Sequence, residues 1–337
     1  MDTNNQKTRP DFLWSFLAHF GMNMWGDAVR PARRDGMITR QLTDEEFALL
    51  DVEKYRRHDH VRFDEDVWRE LSAQLKADGC NQIVIDVGEF LRYPSHPELA
   101  VEGSWAPERL RAEVVRLNAM GFEVVPKLNF STCHDTWLGP YARQVSTPEY
   151  YKVCSDVIGD TLEVFKGTRF LHLGMDEEDI PSLQKNCSMM VMRQGELWWH
   201  DFNWLVGQVE NRGVRAWVWH DYLRRHSVEE MVKRMPRSAL MSPWTYMKTG
   251  ETALNPRRLD EFKRLADAGY DVVPCSSNCY GGREGFGMLT EWSRRNLAPA
   301  HFKGMLMAPW MMTAKPYRRL LLAASNCLAE ARRELKT

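Results

Sequence analysis

The sequence predicts a single (β/α)8 TIM barrel of the α/β class, spanning residues 1–337. Two observations carry this. Six times a Gly closes a helix-like stretch and an apolar run opens shortly after it. These are Gly79 before QIVIDVG, Gly121 before EVVPKLN, Gly167 before FLHLG, Gly213 before VRAWVW, Gly269 before DVVPCSS and Gly304 before MLMAPW. Gly just past a helix end adopts the left-handed C′ conformation at no steric cost. An apolar run so close behind it reads as a strand buried on both faces. The second observation is the pair GFEVVP (121–126) and GYDVVP (269–274), which reads as an internal repeat.

Taken in order, the strands are FLWSFLAHFG (12–21), QIVIDVG, EVVPKLNF, FLHLGMDE, VRAWVWHDY, ALMSPWTYM, DVVPCSSN and GMLMAPW. Helices between them show start signals. Thr147-Pro148 and Asn255-Pro256 each set an N-cap residue before a Pro at the first helical position. From Pro148 to Lys166, apolar residues recur at Tyr151, Cys154, Val157, Ile158, Leu162 and Phe165, one helical face. Residues 315–336 supply the eighth helix. Alternating strands and helices imply parallel pairing through right-handed crossovers. Pro126 and Pro274 fall inside two strands, where each removes a ladder donor, and they are expected to mark loosening near the C-terminal strand ends. An open doubly wound sheet is the other architecture considered; no G-x-G-x-x-G follows the first strand to support it. The long charged connection at 27–60 is expected to pack as a loop or short helix over one barrel end.

Composition narrows the function. Lys plus Arg is 45 and Asp plus Glu is 46, a net charge of −1. That balance excludes the basic footprint of a nucleic-acid binder. No apolar run approaches the roughly 20 residues a membrane helix needs. The N-terminal MDTNNQKTRP lacks the apolar stretch of a signal peptide, and seven scattered Cys fit free thiols, so the chain as given reads as cytoplasmic. Oligomeric state is not legible.

In a β/α barrel the catalytic side chains stand at the C-terminal strand ends. Those ends offer His19, Asn23 and Trp25; Asp86 and Glu89; Asn129, His134, Asp135 and Trp137; Asp176, Glu177, Glu178 and Asp179; Trp219, His220 and Asp221; Trp244 and Tyr246; Ser276 and Asn278; and Trp310. Aromatic rings beside carboxylates suit a carbohydrate site. Asp176 and Glu177 are the sharpest pair. Mutual repulsion is expected to raise one carboxyl, leaving it protonated as a general acid beside an ionised neighbour.

HLGMDE (172–177) resembles the His-x-Gly-Gly-Asp-Glu signature of family 20 glycoside hydrolases, the β-N-acetylhexosaminidases. The resemblance runs in order through IVIDVGEFLRYPSHPEL (83–99), GFEVVPKLNFSTCH (121–134), VWHDY (218–222), MSPWTYM (241–247) and GMLMAPW (304–310). It implies a retaining exo-β-N-acetylhexosaminidase that uses the substrate's acetamido oxygen as nucleophile, with no cofactor and no metal. Asp176 would then orient the acetamido group and Glu177 would serve as general acid and base. Tyr246 would bond the acetamido oxygen. Trp219, Trp244 and Trp310 would wall the sugar, and His134 and His172 would brace the acids. Asp221 joins them as a substrate-binding candidate. The implied partner is an amino-sugar glycan. Two alternatives remain open: a catalytically silent glycan-binding barrel, and a glycosidase using Glu177 with Asp86 or Asp221.

Departures are visible. Met175 replaces a signature Gly. Lys127 and Asn129 stand where the family has Glu and Asp, and Ser131 to Cys133 replace its Pro-Gly. Trp310-Met311-Met312 lacks the sugar-reading Glu, and the first strand shows no match for the family's sugar-binding Arg, Arg30 being only a guess at it. His58-Asp-His60 lies in a charged segment rather than at a strand end, so a metal role is not expected. Cys275 and Cys279 lack a second zinc half-site. Cys133 beside His134 is read as incidental, since sequence neighbours need not face one another.

Overall fold

The computed structural model describes residues 10–27, 41–49, 57–247, 251, 253–279 and 284–336. Its eight strands are β1 (Leu13–His19), β2 (Gln82–Asp86), β3 (Glu123–Lys127), β4 (Phe170–His172), β5 (Arg215–Trp219), β6 (Leu240–Ser242), β7 (Cys275–Ser276) and β8 (Gly304–Met307). The helices wrapping them are α2 (Glu65–Ala77), α3 (Pro107–Ala119), α4 (Pro148–Val164), α6 (Gly195–Glu210), α7 (Val228–Arg234), α8 (Pro256–Asp267), α9 (Glu284–Asn296) and α10 (Arg318–Lys336). Two short helices are extra: α1 (Asp44–Ala48) and α5 (Ile180–Asn186). The rest of the 27–60 connection, Arg30 included, lies mostly outside the described residues.

Every ladder is parallel, in the order β6-β5-β4-β3-β2-β1-β8-β7. The remaining seam is bridged at Met241–Val272 and Trp244–Cys275, where the N–H groups of Val273 and Cys275 donate to the carbonyls of Met241 and Pro243, both at 2.8 Å. The sheet therefore closes on itself.

Register stacks the interior in layers. Ser15, Gln82 and Glu123 align at the bottom, Leu17, Val84 and Val125 in the middle, and His19, Asp86 and Lys127 at the top. Successive strand residues point to opposite faces, so each layer is two residues above the last. The middle layer belongs to an apolar plug with Leu13, Phe170, Trp217, Leu240 and Leu306. The intervening Phe16, Ile83, Ile85, Val124, Leu171 and Val218 pack outward into the core under the helices. A polar layer above an apolar plug gives the C-terminal end of the barrel a charged floor.

Helix ends follow the sequence signals in most places. Thr147 caps α4 by accepting from Tyr150 N–H, and Asn255 caps α8 by accepting from Arg257 and Arg258. Gly79, Gly121, Gly167, Gly213 and Gly269 all have φ between 76° and 94°. Gly304 does not. It opens β8, where a Cβ would stand 2.2 Å from the Leu13 carbonyl oxygen, so it permits close strand approach rather than a cap.

Of the two prolines, Pro126 falls as expected, one residue before the end of β3, and Pro274 does not. Pro126 has no N–H to offer β4, and the β3–β4 ladder is reduced to Lys127–His172. Pro274 immediately precedes β7, which is only two residues long.

Candidate active site

β4 ends at His172, earlier than the expected FLHLGMDE strand. Gly174, Met175 and Glu177 have φ of 71°, 67° and 56°, left-handed values that no strand can continue through. Such strain in non-Gly residues persists only where the surroundings enforce it. Here it throws the chain across the barrel mouth and separates four consecutive acids. Glu178 turns into the protein. It accepts from Arg193 (2.9 and 3.1 Å), Thr132 Oγ1 (2.9 Å) and Trp198 Nε1 (3.0 Å). Asp179 caps α5 through Ser182 N–H and holds Arg224 Nε at 2.6 Å. Asp176 and Glu177 are left facing a half-open cavity at the barrel mouth.

Its lining is Met24, Asp86, Lys127, Asn129, His134, Asp176, Glu177, Trp219, Trp244, Tyr246 and Trp310. Asp176 Oδ1 accepts from Asn129 Nδ2 at 2.7 Å, and its backbone carbonyl accepts from Ser131 Oγ at 2.5 Å. His134 Nε2 sits between the acids, 3.5 Å from Asp176 Oδ2 and 3.4 Å from Glu177 Oε2. Its Nδ1 lies 3.0 Å from the Met24 carbonyl oxygen, which fixes that nitrogen as the donor. Trp219 and Trp310 stand with ring centroids 5.6 Å apart, and Trp244 stacks on Tyr246 at 4.9 Å. Trp310 Nε1 donates to Tyr246 Oη at 3.0 Å. The floor is the His19–Asp86–Lys127 layer, with His19 Nδ1 2.5 Å from Asp86 Oδ2 and Lys127 paired to the other oxygen.

Charge distribution differs from the expectation of a raised acid within the adjacent pair. Burial pushes Glu177 up, but the hydrogen bond and charge of His134, with the Arg224 guanidinium 3.6 Å away, draw it down to about 2. Burial opposes protonation of His134, yet Asp176 and Glu177 together lift it to about 9. The imidazolium between the acids replaces the repulsion that adjacency alone would produce. Burial, then the charge of Asp176, instead raises Asp221 to about 7. Asp86 is held below its ordinary range despite burial, because Lys127 and His19 flank it.

Seven of the nine site residues expected from sequence line this cavity. His172 and Asp221 do not. His172 is fully buried beneath it, its Nδ1 accepting from Gly174 N–H at 3.0 Å and its ring 4.5 Å from Trp219. It touches neither acid, so it does not brace them directly. Asp221 lies behind the wall, accepting from Trp244 Nε1 at 2.6 Å and from Glu177 N–H at 3.3 Å. Trp137 is also buried, donating to the Asn129 carbonyl at 2.7 Å.

No protein-family model matches the sequence, and no curated protein matches it. Solved structures do match the fold. A chitobiase from Flavobacterium johnsoniae is 16% identical and superposes with a TM-score of 0.56, over 81% of this chain and 48% of its own. An exo-β-N-acetylglucosaminidase from Vibrio harveyi, of family 20 and solved with N-acetylglucosamine, is 12% identical with a TM-score of 0.57, over 82% of this chain and 55% of its own. A β-N-acetylhexosaminidase from Bacteroides fragilis is 13% identical with a TM-score of 0.58, over 94% and 66%. The fold is that of the barrels in these family 20 structures, at a divergent sequence. The chain spans about half the length of the first two of these proteins.

In the turn after β4, Met175 takes a left-handed backbone conformation and buries its side chain. Gly174 cannot carry a side chain so easily, since a Cβ there would fall 2.2 Å from Asn129 Oδ1. Gly174→Ala should therefore destabilise the fold by about 1–3 kcal/mol from backbone strain alone. It should also dislodge Asn129 from Asp176. A urea-denaturation midpoint equal to that of the parent would refute this account of the turn.

Proposed function

We propose that the protein is a retaining exo-β-N-acetylhexosaminidase acting on terminal GlcNAc or GalNAc by substrate-assisted catalysis. The observation that carries this reading is the separation of the four acids, which leaves Asp176 and Glu177 facing an aromatic-walled cavity at the C-terminal mouth of the barrel. N-acetylglucosamine in the Vibrio harveyi counterpart supports the choice of sugar.

In the proposed reaction the acetamido carbonyl oxygen attacks the anomeric carbon as the bond to the aglycone oxygen breaks. Asp176, held by Asn129, accepts from the acetamido N–H and orients it. The leaving oxygen takes a proton from Glu177. Because Glu177 is ionised beside His134, that proton is passed from His134 Nε2 across the 3.4 Å contact as substrate displaces water. Glu177 then takes a proton from the water that opens the cyclic intermediate, restoring the pair and retaining configuration. Trp219, Trp244, Tyr246 and Trp310 enclose the sugar and its acetyl group.

Aryl β-N-acetylhexosaminides should be hydrolysed and the matching plain β-hexosides should not. Equal rates on both would remove acetamido participation, and glycan binding without turnover would select a silent binding barrel. A pH profile gives a second check. The proton on His134 is lost as pH rises through about 9, so kcat/KM should fall on that alkaline limb. A flat profile across that range would remove His134 from the proton path.

A further inference from the structure

Cys133 was read from sequence as an incidental neighbour of His134, and the mechanism does not use it. In the folded chain the two are not incidental. A ligand atom from each of Cys133, His134 and Glu177 lies within 4.8 Å of the others. We propose that these three residues form a binding site for a thiophilic divalent cation of the zinc type, and that the cation blocks the cavity by occupying the acid/base pair.

Three features fit a metal rather than a chance grouping. A cysteine sulfur, an imidazole nitrogen and a carboxylate, the first two giving up their protons as the metal binds, are together a donor set typical of zinc, with a fourth position left open to the cavity. Zinc–ligand distances of about 2.0–2.3 Å require the three atoms to close by only about 1 Å. The outer contacts are also in place. His134 Nδ1 is fixed on the Met24 carbonyl at 3.0 Å, which directs Nε2 toward the metal position. Asn186 Nδ2 donates to Cys133 Sγ at 3.3 Å. Cys133 itself is buried, so a cation would enter from the cavity, past Glu177. Cys187 adjoins Cys133 but is not part of the three-atom set.

The inhibitory consequence rests on the hydrolase reading; the site itself does not. Cobalt(II) added to the reduced protein separates the two. Binding should produce a thiolate-to-cobalt charge-transfer band and tetrahedral visible bands, whether or not the protein turns over any substrate. Cys133→Ser should abolish the charge-transfer band. Persistence of the band in that variant, or its absence in the parent, would overturn the proposal. If Cys133→Ser fails to fold, Asn186→Ala serves instead, and should weaken cobalt binding by about 10–100-fold; unchanged affinity would count against the site. With turnover established, Zn2+ should inhibit the parent competitively. Cys133→Ser should hydrolyse substrate at the parental rate while needing at least about 10-fold more Zn2+ for half-inhibition. Equal sensitivity of the two would show that zinc acts elsewhere.

Discussion

Glu177→Gln should lower turnover of alkyl and oligosaccharide β-N-acetylhexosaminides by about 10²–10⁴-fold, the range for loss of general acid/base catalysis. Nitrophenyl substrates should lose less in the first step, because a nitrophenolate leaves without needing a full proton. The amide can neither deliver that proton nor take one from water. The variant should also lose the alkaline limb, because the His134 proton that titrates at about 9 reaches the leaving oxygen only through Glu177. Steady-state kinetics on a leaving-group series, run across pH, reads both effects. Equal losses for good and poor leaving groups, with the limb retained, would mean that Glu177 is not the acid.

The direction of these shifts shows where the sequence stops being informative. Adjacent acids at 176 and 177 suggest repulsion. The charge that decides the matter comes from His134, at the end of the neighbouring strand segment, and from Arg224, beyond β5. Neither contact is local. The same holds for the division of labour among the four acids. Asp179 carries a local signal, because it precedes a helix with Pro at its second position. Glu178 carries none, since its partners are Thr132, Arg193 and Trp198.

The barrel was legible because its signals are short-range. A left-handed Gly, an apolar run and a capped Pro each act within a few residues, and they recur around the sheet. Where the same residue type meets a long-range constraint, the local reading fails. Gly304 looks like the other five but answers to the Leu13 carbonyl across a strand pair. At the site, the strand-end rule located Asp86, Asn129 and the aromatic wall. It could not show that Asp221 lies behind Trp244, or that Lys127 would pair with Asp86 to form a buried floor. The roles of Lys127 and Asn129 become physical only with the register in hand. Asn129 bonds Asp176, and Lys127 pairs with Asp86 in the top layer.

Asp176→Asn separates orientation from proton transfer. If Asp176 positions the acetamido group, its loss removes the aligned nucleophile whatever the leaving group, so nitrophenyl and oligosaccharide substrates should suffer alike. Misplacement of a reacting group by about 1 Å costs on the order of 10²-fold, which sets the minimum expected loss. The fold should survive, because an amide oxygen at this position can still accept from Asn129 Nδ2, as Asp176 Oδ1 does at 2.7 Å. Thermal unfolding close to that of the parent would confirm that the loss is chemical. A thiazoline mimicking the cyclised intermediate supplies the decisive comparison. It presents the ring nitrogen that Asp176 is assigned to hold, so Asp176→Asn should weaken its binding, while Glu177→Gln should largely spare it. Asn129→Ala should weaken it in the same sense and to a smaller degree, since it frees Asp176 without removing its charge. Thiazoline binding lost in Glu177→Gln and kept in Asp176→Asn would exchange the two roles. Full activity in both variants would reduce this pair to a solvated turn and leave the cavity without its chemistry.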